Sequence, residues 1–221
     1  DSRAVVLQGT IGQGKSIFLR YLCATELQLG KRLPIFIELR SLTKELDLSQ
    51  LILRALTDLG LRMSEADFRV LAAKSPVVLL LDGFDELDPD LTSRTIGELE
   101  SLVRQLESLR VLVTSRPDNA VQRSNAFRVL ELGKLTNKDI PNMISMLMGV
   151  SKTTDGLIRA VTHKHSITKD LLTTPLMVTL LVITYKAEQR IPETMSDFFD
   201  GLFDGGKAIV DHLEKPENAI R

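Results

Sequence analysis

Near the start of the chain, glycines, a lysine and a hydroxyl recur at a spacing that suits phosphate chemistry. Gly9-Thr10-Ile11-Gly12-Gln13-Gly14-Lys15-Ser16 fits the pattern G-x-x-x-x-G-K-[ST]. Glycines let the backbone curl so that several N–H groups point inward at one anion. Lys15 supplies a full positive charge for β- and γ-phosphates, and the Ser16 hydroxyl is a donor suited to Mg²⁺. The helix expected next adds the partial positive charge of its amino terminus, with Ile17 in its first turn. A glycine-rich turn that merely matches the pattern is the alternative. A strand expected before it and a helix after it argue against that alternative.

A second constellation lies further along. Val77 to Leu81 (VVLLL) is an unbroken apolar run that ends in Asp82. A hard cation prefers oxygen ligands, so Asp82 and Ser16 are the expected metal-binding pair. Gly83-Phe84-Asp85-Glu86 then places two more carboxylates where they can orient a water for attack on a γ-phosphate. The bland alternative is a solvated capping pair ahead of Leu87. Spacing does not choose between Asp85 and Glu86 as the base. Val113-Thr114-Ser115-Arg116-Pro117 ends the next apolar run with polar groups. In an open parallel sheet the carboxyl ends of strands face the ligand crevice. Arg116 therefore joins Asp85 and Glu86 as a candidate catalytic residue, its planar fork matched to a phosphate; an ordinary surface arginine is the alternative.

These groups need a scaffold, and the periodicity supplies one. Short apolar runs at 4–8, 34–39, 77–81, 111–114 and 127–132 read as strands. Helical patterns separate them: Ser16 to Leu29 with Gly30 as its C-cap, a helix capped by Asp47, another opened by Ser64 and Asp67, and Thr92 to Leu106. Alternating strands and helices imply right-handed crossovers and a parallel sheet between helical layers. After Gly133 only helices are expected, over 136–148, 155–161, 175–186 and 195–210. Pro175 stands at an ordinary first helical position. Neither an internal repeat nor a low-complexity tract is present.

Composition narrows the classes. The 221 residues are 43% hydrophobic with a net charge of -1, enough for a real core and without the basic excess of a nucleic-acid binder. The single cysteine, Cys23, excludes an internal disulfide framework and is expected in the core. His163, His165 and His212 form no metal-binding set. The most apolar stretch, Leu176 to Ile183, is far short of the roughly 20 residues that span a bilayer. No signal peptide opens the sequence, so a cytoplasmic location is the expectation. The start at Asp1, without an initiator Met, is expected of a segment cut from a longer protein.

Taken together, the loop at Gly9–Ser16, LLLDGFDEL at 79–87, TSRP at 114–117, LPIFIELRSL at 33–42 and TPL at 174–176 resemble a NACHT domain, of the signal-transducing STAND branch of P-loop NTPases. The resemblance implies a three-layer α/β sandwich with a five-stranded parallel sheet in the order 5-1-4-3-2. It implies a nucleotide-binding domain over 1–133, a small helical subdomain over 134–190, and the start of a winged-helix domain over 191–221. Pro175 would touch the base or ribose. The ligands implied are ATP, ADP and Mg²⁺. The function implied is a slow-hydrolysing switch that self-associates, with effector and sensor domains outside this chain, as in inflammasome-type receptors or bacterial anti-phage defence proteins. The winged-helix histidine of the family has no counterpart here. A remodelling or motor ATPase and a phosphotransferase are the competing readings. The carboxylate pair and helical tail favour the switch, and the absence of an arginine-rich lid counts against the phosphotransferase.

Overall fold

Five apolar segments pair in parallel: β1 (Ala4–Gln8), β2 (Leu33–Glu38), β3 (Val77–Asp82), β4 (Arg110–Ser115) and β5 (Arg128–Glu131). Their spatial order is β2-β3-β4-β1-β5, the order that the resemblance implied. The computed structural model describes residues 3–162, 172–188, 190 and 200. The chain divides into two compact units, Asp1–Gly133 and Lys134–Arg221.

In the first unit, strand periodicity sorts side chains onto two faces. Ala4, Val6, Ile35, Ile37, Leu79, Leu81, Val111 and Val113 meet α2 (Leu48–Asp58), α3 (Glu65–Lys74) and α4 (Thr92–Gln105) in one large core. Val78 and Leu80 point the other way, into a smaller cluster with Leu19 of α1 (Lys15–Leu29). β3 is buried along its apolar length because helices cover it on both sides. Its last residue, Asp82, emerges at the rim.

Local signals place the helices. Asp47 and Gln50 form a reciprocal capping box on α2, as do Ser64 and Asp67 on α3. Gly30 closes α1 in the left-handed region, donating its N–H to the Glu26 carbonyl at 3.0 Å. Two expectations change. The helix expected from Thr136 begins at Asp139, because Thr136 N and Oγ1 both donate to the Asp139 carboxylate and fix a turn instead. Cys23 is only half-buried: α1 is apolar on several sides, and its outer face leaves Ile17 71% and Tyr21 68% exposed.

The second unit packs α5 (Asp139–Met148), α6 (Lys152–Thr162) and α7 (Pro175–Glu188) around Ile144, Leu157, Val178 and Leu181. Among the described residues no helix is long and apolar enough to cross a membrane. The three histidines, and residues 191–221 apart from Asp200, lie outside the described residues.

Candidate functional site

The loop after β1 is shaped from within. Gly9 N donates to the Ser115 carbonyl at 3.1 Å, which pins the loop entry to the end of β4. Gly12 (φ 77) and Gly14 (φ 89) both take the left-handed backbone that glycine tolerates. Gly14 is also the N-cap of α1, and no side chain caps the helix there. The first-turn N–H groups are thus left for an anion.

Gln13 is buried and acts as a brace. Its Oε1 accepts from Thr10 N, and its Nε2 donates to the Leu132 carbonyl at 2.9 Å. A Cβ on Gly9 would lie 2.7 Å from that Oε1, so a larger residue there would push the tip of the Gln13 brace aside. Lys15 Nζ donates to the Gly9 carbonyl at 2.7 Å and the Thr10 carbonyl at 3.0 Å. Burial lowers its pKa, and the Arg116 charge works in the same direction. Asp85, Asp82 and Glu86 oppose both. Thr10 and Ile11 stand exposed at the crest, with Ser16 and Ile17 exposed in the first turn of α1.

The acidic strand end is held by β4. Thr114 is fully buried; its Oγ1 donates to Asp82 Oδ1 at 2.6 Å and accepts from Gly83 N at 2.9 Å. One Asp82 oxygen is oriented in this way. Gly83 (φ 77) then turns the chain into the short helical turn Phe84–Glu86. There the two carboxylates part company. Asp85, whose side chain is 11% exposed, accepts from Arg116 N at 3.0 Å and from Arg116 Nε at 2.8 Å. Glu86 is exposed, and its carboxylate has no hydrogen-bond or ion-pair partner among the described residues. It lines a cavity of about 120 Å³ together with Ser16, Asp82, Glu38, Arg20 and Arg40.

This donor set fits Mg²⁺. The Ser16 hydroxyl and the Asp82 carboxylate open on one small cavity and offer only hard oxygen ligands. Among the described residues no group of three His, Cys, Asp or Glu could hold a metal alone. A cation held by Ser16 and Asp82 would share its coordination with phosphate oxygens and water, and its chemistry would be to neutralise phosphate charge.

The structure thus gathers Gly9 to Ile17, Asp82, Asp85, Glu86 and Arg116 at the carboxyl ends of β1, β3 and β4, all in the first unit. Pro175 belongs to the second unit, where it opens α7 and its carbonyl accepts from Thr179 Oγ1 at 2.9 Å. Sequence reasoning gave no role to the Thr114 hydroxyl, the Gln13 side chain, Glu38, Arg20 or Arg40. The first was within reach, since a polar residue at a buried strand tip must find partners. The others required strand register. With the geometry in place, residues 3–148 match the family model described as NACHT domain. A search of curated proteins found none that matches the chain.

Proposed function

The chain belongs to the NACHT domain family, whose members are P-loop nucleoside triphosphatases, and from that premise we propose that it is a nucleotide-dependent switch with slow ATP hydrolysis. Gly9 to Ile17 wrap the phosphates, Lys15 meets the β- and γ-groups, and Ser16 and Asp82 hold Mg²⁺. Glu86 orients the attacking water, and Arg116 meets the γ-phosphate from the β4 tip. Asp85 positions Arg116.

One observation carries this division of labour: Asp85 is committed twice to Arg116, while Glu86 has no hydrogen-bond or ion-pair partner among the described residues and shares a cavity with Ser16 and Asp82. A carboxylate spent on an arginine is a poor base for water; a free one beside the metal pair is a good candidate. Arg116 is 53% exposed at its side chain, so it has room to exchange Asp85 for phosphate.

The family reading extends further. Pro175 contacts the base or ribose, ADP and ATP favour different arrangements, and self-association follows exchange. The output is signalling in an innate-immune or anti-phage defence receptor of the cytoplasm. Steady-state hydrolysis by the purified chain with ATP and Mg²⁺ tests the core of this. Glu86→Gln should cut turnover about a hundredfold or more while ADP binding changes little. Undiminished turnover removes Glu86 from the mechanism. Rapid multiple turnover by the unaltered chain favours a motor over a switch.

A further inference from the structure

The end of β2 carries a chain of ion pairs that the roles above leave unused. Glu38 lies opposite Asp82 in the β2–β3 register. Its Oε2 accepts from Arg40 Nε at 3.1 Å and Arg40 Nη2 at 2.5 Å; its Oε1 accepts from Arg20 Nη2 at 3.1 Å. Arg20 stands one turn beyond Ser16 on α1, with its guanidinium 5.6 Å from the centre of the Phe36 ring. All three side chains line the 120 Å³ cavity that also holds Ser16, Asp82 and Glu86.

The two arginines differ in what holds them. Arg20 is anchored by the aromatic face of Phe36 as well as by Glu38, which suits a fixed support. Arg40 sits on the short turn Leu39–Ser41, is 63% exposed at its side chain, and has Glu38 as its one hydrogen-bond and ion-pair partner among the described residues. The Glu38 carboxylate chiefly favours its charged form, with smaller help from Glu86 and Asp82. An exposed pair of this kind contributes little stability, so it exchanges readily for a better anion. A terminal phosphate is such an anion: it carries more charge than a carboxylate and matches the planar guanidinium fork.

We propose that Arg40 is a specificity residue for the triphosphate, held away from the terminal phosphate by Glu38, so that the Glu38–Arg40 pair sets the preference for triphosphate over diphosphate. The inference rests on the nucleotide reading above. Breaking the pair subtracts from triphosphate binding alone, because a diphosphate offers Arg40 nothing in exchange. Arg20 keeps Glu38 in place and thereby keeps the threshold fixed.

A double-mutant cycle on the whole chain tests this, with affinities for Mg²⁺–ADP and for a non-hydrolysable imido analogue of ATP measured by calorimetry. Arg40→Gln should weaken the analogue about tenfold and leave ADP within about twofold. Glu38→Gln should strengthen the analogue about three- to fivefold, again sparing ADP. In the Arg40→Gln background, Glu38→Gln should add nothing. If it still strengthens binding there, or strengthens ADP equally, Glu38 acts through its own charge and the proposal is wrong. An unchanged ratio in Arg40→Gln overturns it as well. Arg40→Lys keeps the charge without the fork and should fall between; it replaces Arg40→Gln if circular dichroism shows that variant misfolded. Should the unaltered chain bind neither nucleotide, the nucleotide reading itself fails and this inference falls with it. Binding of both with no dependence on Arg40 sinks the inference alone.

Discussion

The phosphate loop and the acidic strand tips share one rim of the sheet, yet they are held in shape by different means. Within the loop, Lys15 bonds Gly9 and Thr10, Gln13 bonds Thr10, and left-handed glycines set the curl. Those partners lie within a few residues of each other. At the strand tips, Thr114 reaches Gly83 and Asp82, and Arg116 reaches Asp85, across 31 or 32 residues of chain. The β3–β4 register, which sets Leu81 beside Val113, brings these groups together. Because strand side chains alternate, a slip of one residue would turn Thr114 away from Asp82. Shape in the loop is thus set mainly by local sequence, with Gly9 N–Ser115 and Gln13–Leu132 as its long-range anchors, and shape at the tips is a property of the sheet. Grip on phosphate should depend on the first, and turnover on the second.

The harshest test of that contrast is Lys15→Ala. It should weaken nucleotide binding about a hundredfold or more while leaving helix content unchanged. Binding that survives while turnover disappears would mean the two halves do not divide the work in this way. Asp85→Asn comes next. It keeps an acceptor for Arg116 N but removes the charge that steers the guanidinium. Turnover should fall about ten- to a hundredfold, with nucleotide affinity nearly unchanged in the same titrations. Equal losses of affinity and turnover would place Arg116 in ground-state grip and merge the halves.

A smaller effect is expected from Thr114→Val, because it attacks the joint and not the chemistry. The substitution nearly conserves volume but leaves Gly83 N without its acceptor in a buried position, costing about 1–3 kcal/mol. A lower denaturant midpoint with an unchanged slope would show this, and Thr114→Ser should restore most of the loss. If stability is unaffected, the sheet register does not depend on that hydroxyl.

The same contrast explains what could be read from sequence. Gly9–Ser16 was legible because its chemistry is compressed into eight positions. β3 was legible because burial on both faces leaves an unbroken apolar run, and the caps of α2 and α3 because capping is local. The choice between Asp85 and Glu86 was not legible, since it depends on Arg116 arriving from the next strand. Glu38 and Arg40 were hidden for the same reason. The partial exposure of Cys23 was not legible because Ile17, Phe18, Leu19, Tyr21 and Leu22 give no polar stripe to orient α1. Only contact with β2 and β3 selects Leu19. For β5 the apolar pattern predicts Phe127 to Leu132; the paired segment is Arg128–Glu131, an exposed edge strand whose ends no apolar pattern marks.

The smallest expected effect is the dependence of binding on pH, and it probes both halves at once through Lys15. Burial, with help from Arg116, brings the Lys15 pKa below its ordinary value of 10.5, against the opposing pull of Asp85, Asp82 and Glu86. A bound phosphate stabilises the ammonium, so the pKa is higher with nucleotide than without. Binding therefore takes up a proton in the interval between the two values. Affinity is full below the pKa of the nucleotide-free chain and declines as pH rises through it, by at most about tenfold per unit for a single group. The decline for ADP should begin below 10.5. Lys15→Arg, which stays charged throughout, should flatten it in calorimetric titrations over a range where circular dichroism shows the fold intact. An identical decline in Lys15→Arg would assign the titration to another group. An earlier onset in Asp85→Asn would show that the acidic tips help keep the lysine charged, tying the assembled half of the site to the self-contained one.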